Sequence, residues 1–250
     1  MNPEQIARQV RTLGVDHHTA VHVMVNAVAV NHGLPAPWDA PDLDLPALED
    51  IVEIGDVHQL LLGGKRGEQG IYFTPAPLAE FTTRASIDVP LARGTHPLSV
   101  LAMDPSCGAG VFLVMAARRL ARALLAVDFD VTDPQPWMVR NVLPLIAVEC
   151  VFGVDIDPIA VDLAKSALWL AAGGVPPITF MDRNVICGDT LSGAEPPKLR
   201  ERLHGHLASG PAVPDPVSAK PVKPQQAKPA AATTEGTLFD LLGDEGNAAA

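Results

Sequence analysis

The chain has 250 residues, enough for one domain with a sizeable core or for one domain with appendages. Hydrophobic residues make up 48% of it and aromatic residues only 4%, while the 24 prolines are unevenly placed, which predicts a folded body joined to an unfolded tail. With a net charge of −11, the chain lacks the surplus of basic residues with which proteins usually bind a DNA duplex. Any action on DNA would therefore need another domain or chain to supply most of the binding affinity.

The sequence favours a cytoplasmic protein. The apolar run over residues 20–30 is interrupted by His22 and Asn26 and lacks a basic flank and a small-residue cleavage site, so we expect neither a membrane span nor a signal peptide there. The three cysteines are an odd number with no Cys-x-x-Cys spacing, which gives little support to a disulfide framework or a zinc site. A reducing cytoplasm fits these features.

The first 64 residues predict a helical region. Apolar periodicity indicates helices over residues 3–13 and 16–31, the second capped by Asp16. Prolines and aspartates make residues 35–46 a loop, and a further periodicity over residues 48–61 predicts one or two short helices that end at Gly63 and Gly64.

From residue 97 the pattern changes to short apolar runs, each followed by a turn and a helix. Strands are predicted over residues 98–103, 147–154 and 184–187, and helices over residues 111–126 and 158–172. This alternation is typical of an α/β fold, in which helices cover a parallel sheet. We place the body of the protein in residues 65–193.

The remaining residues, 194–250, are predicted to form a disordered tail rich in proline and alanine, because they cannot bury enough apolar surface to offset their ordering entropy. Glu195-Pro196-Pro197-Lys198 is interpreted as a turn. The apolar segment 238–242 is either a tethered docking peptide or an incidental apolar patch.

Residues 104–113 predict a ligand-binding turn between the first strand and its helix. Gly108 and Gly110 let the backbone approach a ligand closely, and the exposed N–H groups at the helix start favour polar or anionic groups. Alternatively, the turn has only a structural role and connects the strand to the helix without binding a ligand.

A second acidic turn strengthens the first interpretation. The strand ending at Asp155 puts a carboxylate at the carboxyl edge of the neighbouring strand, where doubly wound folds meet ribose hydroxyls. Asp157, just before Pro158, is placed to cap the next helix. The alternative for Asp155 is a solvated loop residue.

Four stretches together resemble the class I S-adenosylmethionine-dependent DNA methyltransferases that modify the amino group of adenine, most closely the large enzymes of type IIG restriction and BREX-like phage defence. The stretches are residues 70–75, 104–113, 151–170 and 180–193, in the order that the family has them. The resemblance implies a Rossmann-like fold with a partial parallel sheet, S-adenosyl-L-methionine as the cofactor, and DNA as a partner.

The resemblance also implies roles for individual residues. Thr74 and Pro75 would approach the methionine moiety, with Tyr72 and Phe73 packed nearby. Asp155 would bind the ribose, Ile156 would pack on the adenine ring, and Asp189 would accept a hydrogen bond from the adenine amino group. The residues that would frame the amino acid and the sulfonium are Asp104, Ser106, Gly108, Ala109 and Gly110, with Cys107 in the same turn chosen for its small size.

The family's catalytic motif, Asn/Asp-Pro-Pro-aromatic, is not found in these 250 residues; residues 195–198 are the nearest match and end in lysine. That motif stacks and polarises the flipped adenine. We therefore expect no catalytic residue in this chain and a complementary methyltransferase half on a second chain. A non-catalytic remnant that binds the cofactor or regulates is the alternative, and a small-molecule methyltransferase is disfavoured by the four motifs.

Two weaker signals remain. His18 and His22 share a helix face, but without a third ligand nearby in the sequence we expect no metal site. Trp169 and Leu170 have the helical spacing of core residues.

Overall fold

The computed structural model describes residues 3–43, 45, 51–63 and 74–209. Its centre is a three-stranded parallel sheet in the order β1-β2-β3, in which Ala102 pairs with Val151 and Gly153 with Val185. The strands are β1 (Ala102–Asp104), β2 (Val151–Asp155) and β3 (Val185–Cys187). All three carboxyl ends therefore lie at one edge of the sheet.

Helices precede the sheet, connect its strands and follow it. In chain order they are α1 (Pro3–Leu13), α2 (His17–Asn31), α3 (Ile51–Leu62), α4 (Ala76–Ala92), α5 (Val111–Phe129), α6 (Pro136–Glu149), α7 (Pro158–Ala171) and α8 (Pro197–Ser209), with short 3-10 turns at Pro97–Ser99, Ile178–Arg183 and Thr190–Ser192. The alternation of parallel strands and helices makes the fold α/β, as predicted. Among the described residues, no helix is both long and apolar enough to cross a bilayer.

Local chemistry explains where the helices begin. Asp16 accepts a hydrogen bond from Thr19 N at 3.0 Å and caps α2, and Asp157 accepts one from Ile159 N at 2.9 Å and caps α7, with Pro158 in the first turn. Both caps confirm the prediction from sequence.

The core lies between the sheet and the helices α5 and α7, and it continues into the N-terminal helices. β2 is buried along its first four residues, and Trp169 of α7 is fully buried with Leu170 beside it, as expected for core residues. Ile6, Val28 and Ile54 of the first three helices belong to the same connected set of buried side chains. The described residues thus share one hydrophobic core.

Several predicted bounds are wrong. The first strand does not begin at residue 98, because Pro97 starts a 3-10 turn, and the second begins at Val151, because residues 147–149 form the last turn of α6. Helices α4 and α6 were not predicted, and each contains an internal proline, Pro90 and Pro144 respectively, that obscures the helical pattern.

The region after Gly193 also differs from the prediction. Residues 197–209 form α8, whereas the sequence predicts a turn and a disordered tail there. Arg202 of α8 donates to Leu98 O at 2.5 Å, and Lys198 pairs with Glu149 at 3.0 Å, so charged contacts to the body hold this polar helix. Segment 238–242 lies outside the described residues.

Candidate functional site

The turn between β1 and α5 is held by its own backbone. Asp104 Oδ1 accepts from Ser106 N at 3.0 Å, and Gly110 N donates to Cys107 O at 2.8 Å. Gly108 and Gly110 have φ of +51° and +86°, in the left-handed region that favours glycine. A Cβ on Gly110 would lie 2.8 Å from Ala164 Cα, so a side chain at this position would collide with α7.

Asp155, at the end of β2, joins this turn to the next one. Its Oδ2 accepts from Gly108 N at 2.8 Å and its Oδ1 accepts from Asp157 N at 2.9 Å. The side chain is half-buried. Each carboxylate oxygen keeps a further lone pair for another donor.

The turn after β3 completes the edge of the sheet. Gly188 N donates to Asp155 O at 2.8 Å, and the Thr190 hydroxyl donates to Pro105 O at 2.8 Å. The three turns at the carboxyl ends of β1, β2 and β3 are therefore linked to one another by hydrogen bonds. Sequence reasoning had not singled out Thr190, although it lies within the fourth motif.

Asp189 stands exposed in that third turn and caps it. Oδ2 accepts from the Ser192 hydroxyl at 2.6 Å and Oδ1 from Leu191 N at 2.9 Å, and these hydrogen bonds lower the pKa of the Asp189 carboxyl. The Asp189 carboxylate therefore stays ionised, although neither of these two hydrogen-bond donors carries a positive charge.

The other predicted site residues take different positions. Ile156 is 73% exposed, while the Cys107 thiol is buried against Gly153, where burial raises its pKa. Thr74 and Pro75 lie at the start of α4 and take no part in the bonds that join the three turns. Tyr72 and Phe73 fall outside the described residues.

The Asp104 carboxyl is partly buried, and no positively charged group is among those that shift its pKa. Desolvation raises the pKa of its carboxyl; the Ser106 amide opposes this effect, and the charge of Asp155 adds to it. Beside it a cavity of about 440 Å³ opens between α4, β1 and α5, bordered by Asp104 and Pro105 and lined mainly by apolar side chains. A polar rim next to an apolar cavity is typical of ligand sites.

A buried histidine connects the N-terminal helices to these turns. His58 of α3 is fully buried, with Nδ1 3.0 Å from His17 Nε2 and Nε2 3.1 Å from Asp157 Oδ2. Burial alone would raise the pKa of the Asp157 carboxyl, but the adjacent His58 side chain and the hydrogen bond from Ile159 N outweigh it and lower that pKa. Because 99 residues separate His58 and Asp157 in the sequence, no local pattern could have revealed this contact.

Two curated proteins are similar to this chain. One, assigned as a type II restriction enzyme and methyltransferase of Methanocaldococcus jannaschii, is 32% identical over 107 residues, which cover 36% of this chain and 8% of that protein. The other, the adenine-specific methyltransferase PglX of Streptomyces coelicolor, is 30% identical over 129 residues, which cover 52% of this chain and 10% of that protein.

The similarity therefore spans about a tenth of the length of either relative. No family model matches the chain, and no solved structure matches it. The two relatives nevertheless confirm the resemblance carried by the four motifs. Over this part of its sequence, the chain is thus similar to a restriction enzyme and methyltransferase and to an adenine-specific methyltransferase.

Proposed function

We propose that this chain provides the S-adenosyl-L-methionine-binding part of a DNA adenine-N6 methyltransferase that serves restriction-modification or phage defence. The observation that carries the proposal is the convergence of three turns at one edge of the sheet. Gly108 N lies 2.8 Å from Asp155 Oδ2, and Thr190 Oγ1 lies 2.8 Å from Pro105 O. In Rossmann-like folds this edge is where nucleotide ligands bind.

The groups at this edge fit an adenosyl-sulfonium ligand. Asp155 has spare lone pairs for two ribose hydroxyls, Ile156 offers an exposed apolar face to the adenine ring, and Asp189 is a charged acceptor. The Asp104 carboxylate and the backbone amides of residues 106–110 suit the ammonium and carboxylate of the methionine moiety. When bound, the cofactor supplies the methyl group, and these residues hold and orient it.

We further propose that the base pocket is built from protein outside the described residues, on the free side of β1. Ala102 N donates to Cys150 O, so in a parallel ladder the peptide groups of Met103 point away from β2. Another strand pairing there would extend the sheet and cover this edge. With a net charge of −11, this chain also needs a more basic partner or domain to bind DNA.

Calorimetry with S-adenosylmethionine tests cofactor binding on the full chain. Asp155→Asn preserves the size of the side chain but removes its charge, and we expect it to weaken binding about tenfold or more, because charge-assisted hydrogen bonds are lost. Ile156→Ala should weaken binding with little effect on stability, since Ile156 is mostly exposed. Val127→Ala, an exposed apolar site near the far end of α5, is the matched control.

Absence of binding by the wild-type chain, or equal affinities in all three variants, would refute the proposal. Transfer of tritiated methyl groups tests its second part. We expect no incorporation into DNA by this chain alone, because no Asn-Pro-Pro-aromatic segment occurs in it, and incorporation after addition of a chain that carries that segment.

A further inference from the structure

Two helices that are far apart in the sequence meet through a compact polar cluster. His18 and His22 lie one turn apart on α2 and face Asp162 of α7. Nε2 of His18 lies 2.6 Å from Asp162 Oδ2, and Nε2 of His22 lies 2.8 Å from the same oxygen. One ligand atom from each residue lies within 4.8 Å of the other two. The structure thus brings a third candidate ligand to the two histidines noted in the sequence.

The donor set is that of a first-row divalent metal. Imidazole nitrogen and carboxylate oxygen are common ligands of Zn²⁺ and its neighbours. Both imidazoles present Nε2 to one point, so an ion there would replace the protons that they share with the carboxylate, and each neutral ring would keep its proton on Nδ1. Three protein ligands leave one coordination position for solvent.

Surrounding residues hold the ring of His22 and link it to α7. The His22 ring stacks on Trp38 with ring centroids 4.4 Å apart and planes 1° apart. The Trp38 indole N–H donates to Ser166 Oγ at 3.0 Å, and the Ser166 hydroxyl donates to Asp162 O at 2.6 Å. Such outer contacts orient ligands in metal sites. The His18 side chain is 46% exposed and gives an ion access from solvent, while His22 and Asp162 are mostly buried.

We propose that His18, His22 and Asp162 bind one divalent transition-metal ion of the zinc type, which fastens α2 to α7. The site is separate from the proposed cofactor site and does not depend on it. It has a structural consequence for that site, because α7 begins three residues after Asp155. An ion that holds α7 against the N-terminal helices would stabilise the element from which the acidic turn emerges.

The test uses the full chain without an affinity tag, stripped of metal by a chelator and titrated with Zn²⁺ in a calorimeter. We expect one ion per chain and a rise in Tm with free Zn²⁺. His18→Gln and Asp162→Asn should weaken binding by more than the roughly 10–100-fold that is typical of lost outer contacts, because each removes a ligand. Since glutamine can still donate to Asp162, the metal-free Tm of His18→Gln should stay near the wild-type value.

His96→Gln is the matched control. His96 pairs with Asp128 at 2.9 Å, a similar histidine–carboxylate contact, and no second histidine forms part of that pair. It should retain wild-type affinity for Zn²⁺. The proposal is overturned if the wild-type chain binds no stoichiometric Zn²⁺, if His18→Gln binds as tightly as the wild type, or if His96→Gln loses binding to the same extent.

Discussion

Asp104 shows how a residue suited to ligand binding can lower stability. Its carboxyl is partly buried beside Asp155, and burial raises its pKa above that of the unfolded chain. Between the two pKa values the folded state binds more protons, so the contribution of Asp104 to stability decreases as pH rises through that window. We expect Asp104→Asn, which can still accept from Ser106 N, to raise Tm by a few degrees at neutral pH.

This gain should disappear in acid, where the wild-type carboxyl is protonated as well. Thermal melts of both proteins at neutral and acidic pH measure the difference. A gain that is independent of pH would point to better packing instead, and a loss at neutral pH would contradict the argument from desolvation.

Gly110 is constrained twice, by its φ of +86° and by α7. A Cβ would lie 2.8 Å from Ala164 Cα, and backbone cannot move aside as a flexible side chain can. We expect Gly110→Ala to lower the free energy of unfolding by about 2–4 kcal/mol, through left-handed strain and overpacking together. Denaturant titration measures it.

Gly94→Ala separates the two effects. Gly94 has a φ of +83°, and a Cβ there would meet nothing within 4 Å, so only the strain of about 1–2 kcal/mol should appear. If Gly110→Ala and Gly94→Ala lower the free energy of unfolding equally, the backbone at Ala164 moves aside without an energetic penalty.

At the scale of elements, one buried side chain connects a helix end to the sheet. The Asn184 amide donates to Val148 O at 2.7 Å, to Val151 O at 2.9 Å and to Ala147 O at 3.2 Å. Two of these carbonyls belong to the last turn of α6, where helical partners run out. We expect Asn184→Ala to cost about 2–4 kcal/mol, because buried carbonyls lose their donor.

Asn184→Asp should cost more than alanine, since a carboxylate would face the same carbonyl oxygens. Asn141→Ala, on the exposed face of α6, should change stability by no more than about 0.5 kcal/mol. Chemical denaturation gives the order of the four proteins. An aspartate variant as stable as the wild type would show that this amide does not hold the helix end.

Elements with strong local signals were predictable from the sequence. Asp16 and Asp157 cap their helices as expected, and the helices that follow them begin within a residue of the predicted positions. Helices α4 and α6 were not predictable, because their internal prolines, Pro90 and Pro144, obscure the helical pattern of the sequence. The candidate site divides in the same way. The glycine turn and Asp155 follow from local pattern, whereas the contacts of His58 with Asp157 and of His22 with Asp162 depend on folding over more than 90 residues.

At the scale of the whole molecule, the N-terminal helices do not stand apart from the sheet. Their buried residues Ile6, Val28 and Ile54 join the core that surrounds Trp169. Leu34, which follows α2, packs partly buried against that core. The sequence predicts a helical region over residues 1–64, and from the shared core we infer that this region and the sheet unfold together.

We therefore expect a chain that starts at residue 65 to lose its cooperative thermal transition, because α7 would expose the face that α2 and α3 cover. Removal of residues 210–250 is the control. This segment is predicted from sequence to be disordered, so its loss should leave Tm unchanged. Circular dichroism and calorimetry follow both truncations. A sharp transition in the chain that starts at residue 65 would mean that residues 65–209 fold alone, and that the N-terminal helices form an independent domain docked through His58 and its neighbours.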